Sequence, residues 1–212
     1  MLKFKSVLAI TGVAIVLLCG RYAMATLIVQ YTFDGGTKKP FAKSPEITAS
    51  DFGSLNNTIV FVNGNPSSGK AVEDTGWKDS GNYFYYSLTP SEGYRLNLTN
   101  LTFDHKKENS GAKRWDVTYR VGSTGAFTNV GNGSADNVTW ISANDNLSGI
   151  TALQNTANTI YFRIVASEAS NNGKKWDLDN VTLTGDVLMI PEPTTIAILA
   201  LGGLMLRRPR QR

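Results

Sequence analysis

Alternation of apolar and polar side chains with a period of two is the sequence feature that most constrains the fold. The stretch 114–121 reads RWDVTYRV, with an apolar or aromatic residue at every second position and Arg, Asp or Thr between them. Similar alternation occurs at 27–33, 84–88 and 160–166. This period predicts β-strands that bury one face and expose the other. Clusters of Gly, Asn, Pro and Ser separate the strands, at 63–69, 122–125 and 131–134.

Helical periodicity is missing from the central part of the sequence. No window sustains an apolar repeat of 3.6 residues, and 150–153 could form one helical turn at most. Short strands at this spacing predict an all-β fold, a single antiparallel β-sandwich of jelly-roll type over residues 26–186. We expect an N-terminal signal helix over 1–25 and a short C-terminal hydrophobic helix within 187–212 to flank this sandwich.

Two predicted strands lose their alternation at the same point. The apolar positions are 96, 98, 101 and 103 in one strand, and 176, 178, 181 and 183 in the other. A slip of one residue would turn the later side chains outward unless a β-bulge absorbs the extra residue. We therefore predict bulges at Thr99-Asn100 and at Asp179-Asn180, on neighbouring or equivalent strands.

Charge and rare residues exclude several classes of function for the body. The chain carries 21 Lys and Arg against 17 Asp and Glu, but residues 26–190 hold 14 basic and 16 acidic residues, a net charge of −2. This part lacks the concentrated basic surface that nucleic-acid binding requires, so no nucleic-acid partner is expected. The only cysteine, Cys19, lies outside it, which excludes disulfides and thiolate sites there. His105 is the only histidine.

The N-terminus has the three parts of a secretory signal peptide. Lys3 and Lys5 precede a 12-residue apolar run, 7–18, which is short for a membrane-spanning helix. Ala23 and Ala25 supply the small residues that signal peptidase requires. We expect export and cleavage before Thr26. The alternatives are an uncleaved N-terminal anchor and lipidation at Cys19, although Leu18 precedes this cysteine where a lipobox has Gly, Ala or Ser.

The C-terminus combines a short motif, an apolar run and a basic end. Pro191, Glu192 and Pro193 precede an apolar run of about 11 residues, 196–206, which is half of a comfortable membrane span. The basic end then follows, with Arg207, Arg208, Arg210 and Arg212. Basic residues after a marginal helix stay on the cytoplasmic side, so we expect transient anchoring in the inner membrane.

This order of features resembles the PEP-CTERM sorting signal, whose carriers also have an N-terminal signal peptide. The resemblance covers about 22 residues of the tail. It implies recognition and removal of the tail by an exosortase, a Gram-negative bacterium with an exopolysaccharide-rich surface, and delivery to the cell surface or extracellular matrix. An ordinary tail anchor is the alternative.

Several motifs of the body follow one another in a fixed order: Trp77, the stretch YFYYSLTP at 83–90, Gly93-Tyr94, a Leu-rich strand and a final Asp-Asn-Val strand. This order over residues 77–184 resembles, more loosely, the bodies of PEP-CTERM proteins and carbohydrate-binding jelly rolls. That resemblance implies a structural calcium ion between the end of the first strand and the last strand. Asp34 and Asp179 are the residues it points to as ligands, because calcium prefers carboxylate, amide and carbonyl oxygens. The alternative is that Asp34 serves a turn and Asp179 a bulge.

Glycan binding needs exposed aromatic faces beside hydrogen-bonding groups. Trp77, in a loop-like stretch, is the best single candidate for a platform, and Tyr83 and Tyr85 lie opposite the apolar face of their strand. The alternative is that these aromatic residues line the faces of the sheets. The pairs 106–107 and 113–114 are basic and could touch an acidic polysaccharide, although solvated charge is the commoner role.

An enzymatic function is the weakest of the hypotheses. Asp177 and Asp179 have the spacing of two carboxylates on one strand face, but apolar residues flank them. His105 has the sequence context of a solvated strand end. We therefore predict no catalytic residues and a non-enzymatic surface or matrix protein associated with exopolysaccharide. A carbohydrate-binding module is the first alternative and a secreted glycoside hydrolase the second.

Overall fold

The computed structural model describes residues 26–55, 59–79 and 81–190. The predicted cleavage site at Ala23 and Ala25 lies outside the described residues, and so do residues 191–212 of the predicted sorting signal, 187–212. The described part forms strands β1 Thr26–Tyr31, β2 Ala42–Lys43, β3 Ile47–Ala49, β4 Gly53–Ser54, β5 Val60–Asn63, β6 Lys70–Asp74, β7 Phe84–Pro90, β8 Tyr94–Lys107, β9 Arg114–Val121, β10 Thr128–Ser134, β11 Ile141–Asn146, β12 Ile160–Ser167 and β13 Trp176–Met189.

These strands pair into two antiparallel sheets. Sheet 1 has the order β11-β8-β13-β1-β2, and β6 also pairs with β13 and with β5. Sheet 2 has the order β10-β9-β12-β7-β3, and β4 also pairs with β7. The chain passes from one sheet to the other at each step from β7 to β9 and again from β10 to β13, a path compatible with the jelly-roll prediction. The predicted all-β sandwich is confirmed.

Aromatic side chains from both sheets form the centre of the core. Tyr31 of β1 packs 5.4 Å, between ring centroids, from Tyr86 of β7. Tyr86 in turn stacks 5.3 Å from Phe162 of β12. Strands with strict alternation send these rings inward and their polar residues outward, which leaves the outer face of sheet 2 available for other contacts.

Both predicted bulges are present, and they lie on neighbouring strands. The pairing of β8 with β13 shifts between Asp179 and Thr182 and again between Thr184 and Gly185. Asn180 takes up the first shift with a φ of 50°, and Thr99 is the extra residue at the second. The apolar positions on both sides of each bulge therefore remain in the core.

A third bulge changes which side chains of β1 face the core. The register of β1 against β13 shifts between Leu27 and Val29. Ile28 is buried as a result, whereas Leu27, which alternation placed inward, is 37% exposed. The sequence gives no slip at this point that could have predicted the bulge.

The end of the sandwich lies beyond the predicted boundary at 186. β13 continues to Met189, and the amide of Ile190 donates a hydrogen bond to the carbonyl of Gly93. The predicted helical turn at 150–153 is present as a 3-10 turn, Thr151–Leu153. No helix formed by residues 26–55, 59–79 and 81–190 is long and apolar enough to cross a membrane.

Candidate functional site

An open groove lies on the outer face of sheet 2, on the side turned away from the core. Its volume is about 170 Å³, and it crosses β7, β12 and β9 below the loop between β9 and β10. The lining residues are Leu55, Tyr83, Tyr85, Tyr86, Arg120, Phe127, Tyr161, Phe162 and Arg163. Aromatic rings and two arginines therefore make up most of its surface.

Strand register brings the outward side chains of the groove together. Arg163 of β12 lies opposite Tyr85 of β7, and Tyr161 lies opposite Arg120 of β9. Directly opposite residues of antiparallel strands have their Cβ atoms about 5 Å apart, so these side chains are neighbours on one face. The inward residues between them are buried in the core.

Tyr85 presents a ring to solvent at the edge of the groove. Its side chain is 43% exposed. The ring lies directly on Gly53 of β4, where a Cβ atom would collide with it. A glycine at this position therefore allows the ring to approach the neighbouring backbone closely.

Arg163 is held between two aromatic rings. Its guanidinium carbon is 4.1 Å from the ring centroid of Tyr83 and 3.6 Å from that of Phe127. Such cation–π contacts fix the plane of the guanidinium and leave its N–H edges available.

Arg120 also contacts the ring of Phe127. Its guanidinium carbon is 4.8 Å from the centroid of Phe127 and 5.0 Å from that of Tyr161. The Nε atom of Arg120 is buried and has no hydrogen-bond partner among the described residues. Phe127 thus contacts the guanidinium groups of both arginines.

The basic residues singled out from the sequence have a different environment. On the outer face of sheet 1, Lys106 forms an ion pair with Asp177 at 3.3 Å, and Lys107 forms one with Asp136. Arg114 lies 3.8 Å from Glu168. Acidic partners thus compensate three of these four charges, whereas the lining of the groove contains no Asp or Glu.

The prediction that Trp77 is an exposed platform is wrong. Its side chain is 0% exposed. The indole packs 5.5 Å from Trp176 and 5.3 Å from Phe84, and its N–H donates a 2.7 Å hydrogen bond to the carbonyl of Asp74. The stretch around Trp77 has the composition of a loop but packs on the core, because burial of the large indole ring stabilises the folded state.

His105 is also buried, contrary to the expectation of a solvated strand end. It is 1% exposed and lies among the rings of Phe103, Trp115 and Trp176. Burial lowers the pKa of its imidazole to about 4, against a smaller opposite effect of Asp104. The side chain is therefore a neutral part of the core.

Asp34 and Asp179 lie together against the loop 64–69. Asp179 accepts hydrogen bonds from the amides of Asn65 and Asn180, both at 2.7 Å, and Asp34 accepts one of 3.0 Å from the amide of Lys70. Burial raises the pKa of Asp179 to about 6, and the charges of Asp34 and Asp104 act in the same direction.

These contacts favour a loop-holding role over a calcium site. Cβ atoms at Gly64 and Gly69 would collide with the carboxylates of Asp179 and Asp34, so the loop backbone occupies the space beside both groups. No cluster of three or more His, Cys, Asp or Glu side chains in the described residues could hold a metal ion. Calcium binding stays a prediction.

The carboxylates considered for hydrolysis lie away from the groove. Asp177 and Asp179 are on β13 of sheet 1, where Lys106 covers the first and Asn65 the second. Burial raises the pKa of Asp177 to about 6, although Lys106 opposes the rise. Neither carboxylate borders an aromatic surface of sheet 2.

Six aromatic and arginine side chains form the outward part of the groove lining, and sequence reasoning found two of them and missed four. It identified Tyr83 and Tyr85 from their position opposite an apolar face, and the structure places both in the groove. It also placed Arg120 on the polar face of its strand, but gave that face no role. The missed residues are Arg120, Phe127, Tyr161 and Arg163. Alternation could have indicated the outward direction of three of them, but not that β7, β9 and β12 are neighbours.

Comparison with known proteins gives similarity at the level of structure only. No family model matches the chain, and no curated protein matches it. Among solved structures, the K3 adhesin domain of Lys-gingipain from Porphyromonas gingivalis has 13% identity and a TM-score of 0.45, covering 76% of this chain and 98% of that chain.

Carbohydrate-binding modules are also among the similar structures. The C-terminal family 22 module of Clostridium thermocellum Xyn10B has 10% identity and a TM-score of 0.49, covering 75% of this chain and 94% of that chain. The family 11 module of Lic26A-Cel5E from the same organism has 12% identity and a TM-score of 0.44, covering 79% and 99%.

Proposed function

We propose that this protein is an exported, non-enzymatic β-sandwich whose groove on sheet 2 binds a saccharide chain at the cell surface or in the extracellular matrix. The observation that carries the proposal is the groove itself. It combines the exposed ring of Tyr85 with the rings of Tyr83, Phe127 and Tyr161, and it holds hydrogen-bond donors on Arg120 and Arg163.

This combination matches the chemistry of a sugar. The C–H face of a pyranose packs on an aromatic ring, while its hydroxyl groups require donors and acceptors at the edge of the ring. The groove is open and small, at about 170 Å³. It therefore suits a segment of a longer chain better than an enclosed small molecule.

The non-enzymatic part of the proposal rests on the composition of the groove. Hydrolysis of a glycosidic bond usually needs two carboxyl groups on either side of it. The lining of the groove contains no Asp or Glu. Asp177 and Asp179, the only pair considered from the sequence, belong to the other sheet.

The proposed location rests on the two ends of the sequence. A signal peptide with Ala23 and Ala25 before the cleavage site implies export. The motif Pro191-Glu192-Pro193 with its apolar run and arginines resembles the signal that an exosortase recognises. We propose that the sandwich is released at the cell surface after the tail has been removed.

Affinity electrophoresis of the full chain in gels that contain purified neutral and acidic polysaccharides tests the binding. We expect at least one polysaccharide to retard the protein. Tyr85→Ala removes the most exposed ring of the groove and is expected to weaken binding by about tenfold or more, as for other aromatic contact residues.

Trp140→Ala is the matched control, because Trp140 is an aromatic residue stacked with Lys106 at 4.7 Å on the other sheet. It should bind like the wild type. Binding in the groove would be contradicted if both variants lost affinity for the polysaccharide equally. It would also be contradicted if Tyr85→Ala were retarded as strongly as the wild type.

A further inference from the structure

The two arginines of the groove have their charge uncompensated by the described residues. No acidic side chain lines the groove, and Arg120 has a buried Nε without a partner. By contrast, Lys106, Lys107, Lys175 and Arg114 each lie beside a carboxylate. Since no carboxylate of the described residues lies beside Arg120 or Arg163, the groove favours a ligand that brings an anionic group able to accept hydrogen bonds.

Aromatic stacking explains where the two guanidinium groups lie but leaves their N–H edges unused. Phe127 contacts the face of Arg163 at 3.6 Å and that of Arg120 at 4.8 Å. A guanidinium with its face covered presents a planar fork of donors, which fits the two oxygens of a carboxylate. Both positive charges lie within 4.8 Å of the centroid of one ring, so an anion bound beside that ring can interact with both.

The groove is therefore suited to a ligand that combines a flat apolar face with an anionic group. The rings of Tyr85 and Tyr83 favour a flat apolar face, and the arginines favour an anionic group beside it. A sugar ring that carries a carboxylate has both. A nucleic-acid strand would also offer rings and anions, but the proposed export of the protein to an exopolysaccharide-rich surface favours a sugar, and competition with an oligonucleotide tests this alternative.

We propose that the groove recognises a uronate residue of an acidic polysaccharide, with Arg163 and Arg120 as the carboxylate-binding residues. This inference rests on the proposed saccharide-binding function of the same groove. It gives that function a substrate class, a polyuronate, and it assigns the preference for that class to two named side chains.

Binding of the full chain to polygalacturonate and to its fully methyl-esterified form tests the inference. The ester keeps the sugar rings and their linkage but removes the anionic charge. We expect polygalacturonate to bind about tenfold or more tightly than the ester at low salt, with the difference shrinking at high salt. Alginate, a polyuronate with other linkages, is tested in the same way, because the groove could bind a polyuronate of one chain geometry and not the other.

Charge-neutral variants test which side chains cause the preference for the polyuronate over its ester. Arg163→Gln and Arg120→Gln are expected to lose most of the preference for the acid over the ester. Arg163→Lys keeps the charge but not the fork, so only part of the preference should remain. Arg114→Gln is the matched control. It removes the same charge from the same face of β9, six residues and about 20 Å from Arg120, and it should bind like the wild type.

Unfolding midpoints of all variants separate loss of binding from loss of folding. If neutral polysaccharides bind as tightly as both polyuronates and the Gln variants bind unchanged, the inference is overturned while saccharide binding stands. If an oligonucleotide displaces the polyuronate at equal concentration, the inference is overturned in favour of a general polyanion site. If no polysaccharide binds, the proposed function fails and the inference fails with it.

Discussion

At the scale of single residues, Tyr85 shows how a glycine on one strand shapes a surface on the next. Its ring can occupy the space beside the backbone of Gly53 because Gly53 has no side chain. The substitution Gly53→Ala is therefore expected to displace the ring and to weaken polysaccharide binding by about fivefold to tenfold, while costing about 1 kcal/mol or less in folding. Affinity electrophoresis together with denaturant unfolding checks both values. Unchanged binding would show that the position of this ring does not matter.

Asp145 is a second residue with a testable environment. Its side chain is 8% exposed, its Oδ2 has no partner among the described residues, and burial raises its pKa to about 6. The ordinary pKa is 3.8, so folding disfavours the charged form, and the cost develops as the pH rises from about 4 to about 6.

The neutral variant Asp145→Asn should therefore be more stable than the wild type at pH values above 6, by about 1–2 kcal/mol. Near pH 4 the difference should fall towards zero, because both side chains are then neutral. Free energies of unfolding from urea titrations at the two pH values give the comparison. A difference that does not change with pH would mean that the carboxyl group is solvated.

At the scale of elements, the loop 64–69 is held by carboxylates from distant parts of the chain. Asp179 accepts one amide hydrogen bond from Asn65 in the loop and one from Asn180 on its own strand, and Asp34 accepts one from Lys70, directly after the loop. Asp179→Ala leaves buried amides without partners, so we expect a loss of about 2 kcal/mol or more in the free energy of unfolding. The loss should be the same in excess calcium and in chelator if the carboxylate only holds the loop. A midpoint of the wild type that rises with calcium, and no longer rises in the variant, would instead support the calcium prediction.

Some of the β-bulges and outward-facing side chains can be predicted from the sequence, and others cannot. The slips at Thr99 and Asn180 are visible in the sequence, because a bulge moves every later apolar residue by one position. The bulge at Ile28 is not visible, because Leu27, Ile28 and Val29 are all apolar and any of them could have been turned inward. Tyr83 and Tyr85 could be predicted to face outward from the alternation of β7.

At the scale of the whole molecule, the missing information is which strands are neighbours. Arg120 and Arg163 are 43 positions apart in the sequence, and only the pairing of β9 with β12 brings them to one ring, that of Phe127. Long-range burial is equally hidden from local patterns. Trp77 and His105 have polar neighbours in the sequence, yet both join the aromatic core where the two sheets meet.

Sorting is also a property of the whole chain. The proposed removal of both ends predicts that the mature protein from a native-like host lacks residues 1–25 and the tail after about 190, with its basic end. Intact mass spectrometry of the mature protein gives this answer directly. A mass that still includes Arg207, Arg208 and Arg210 would contradict exosortase processing and would leave a protein anchored by its tail.

Hydroxyl-radical footprinting of the full chain, with and without the polysaccharide that retards it most strongly, tests saccharide binding in the groove most directly. Aromatic side chains are readily oxidised, so each ring reports its own exposure. Binding in the groove predicts that oxidation of Tyr85 and Phe127 falls, while oxidation of Trp140 on the other sheet stays the same. Protection of Trp140 with no change at Tyr85 and Phe127 would contradict the groove on sheet 2 as the binding site.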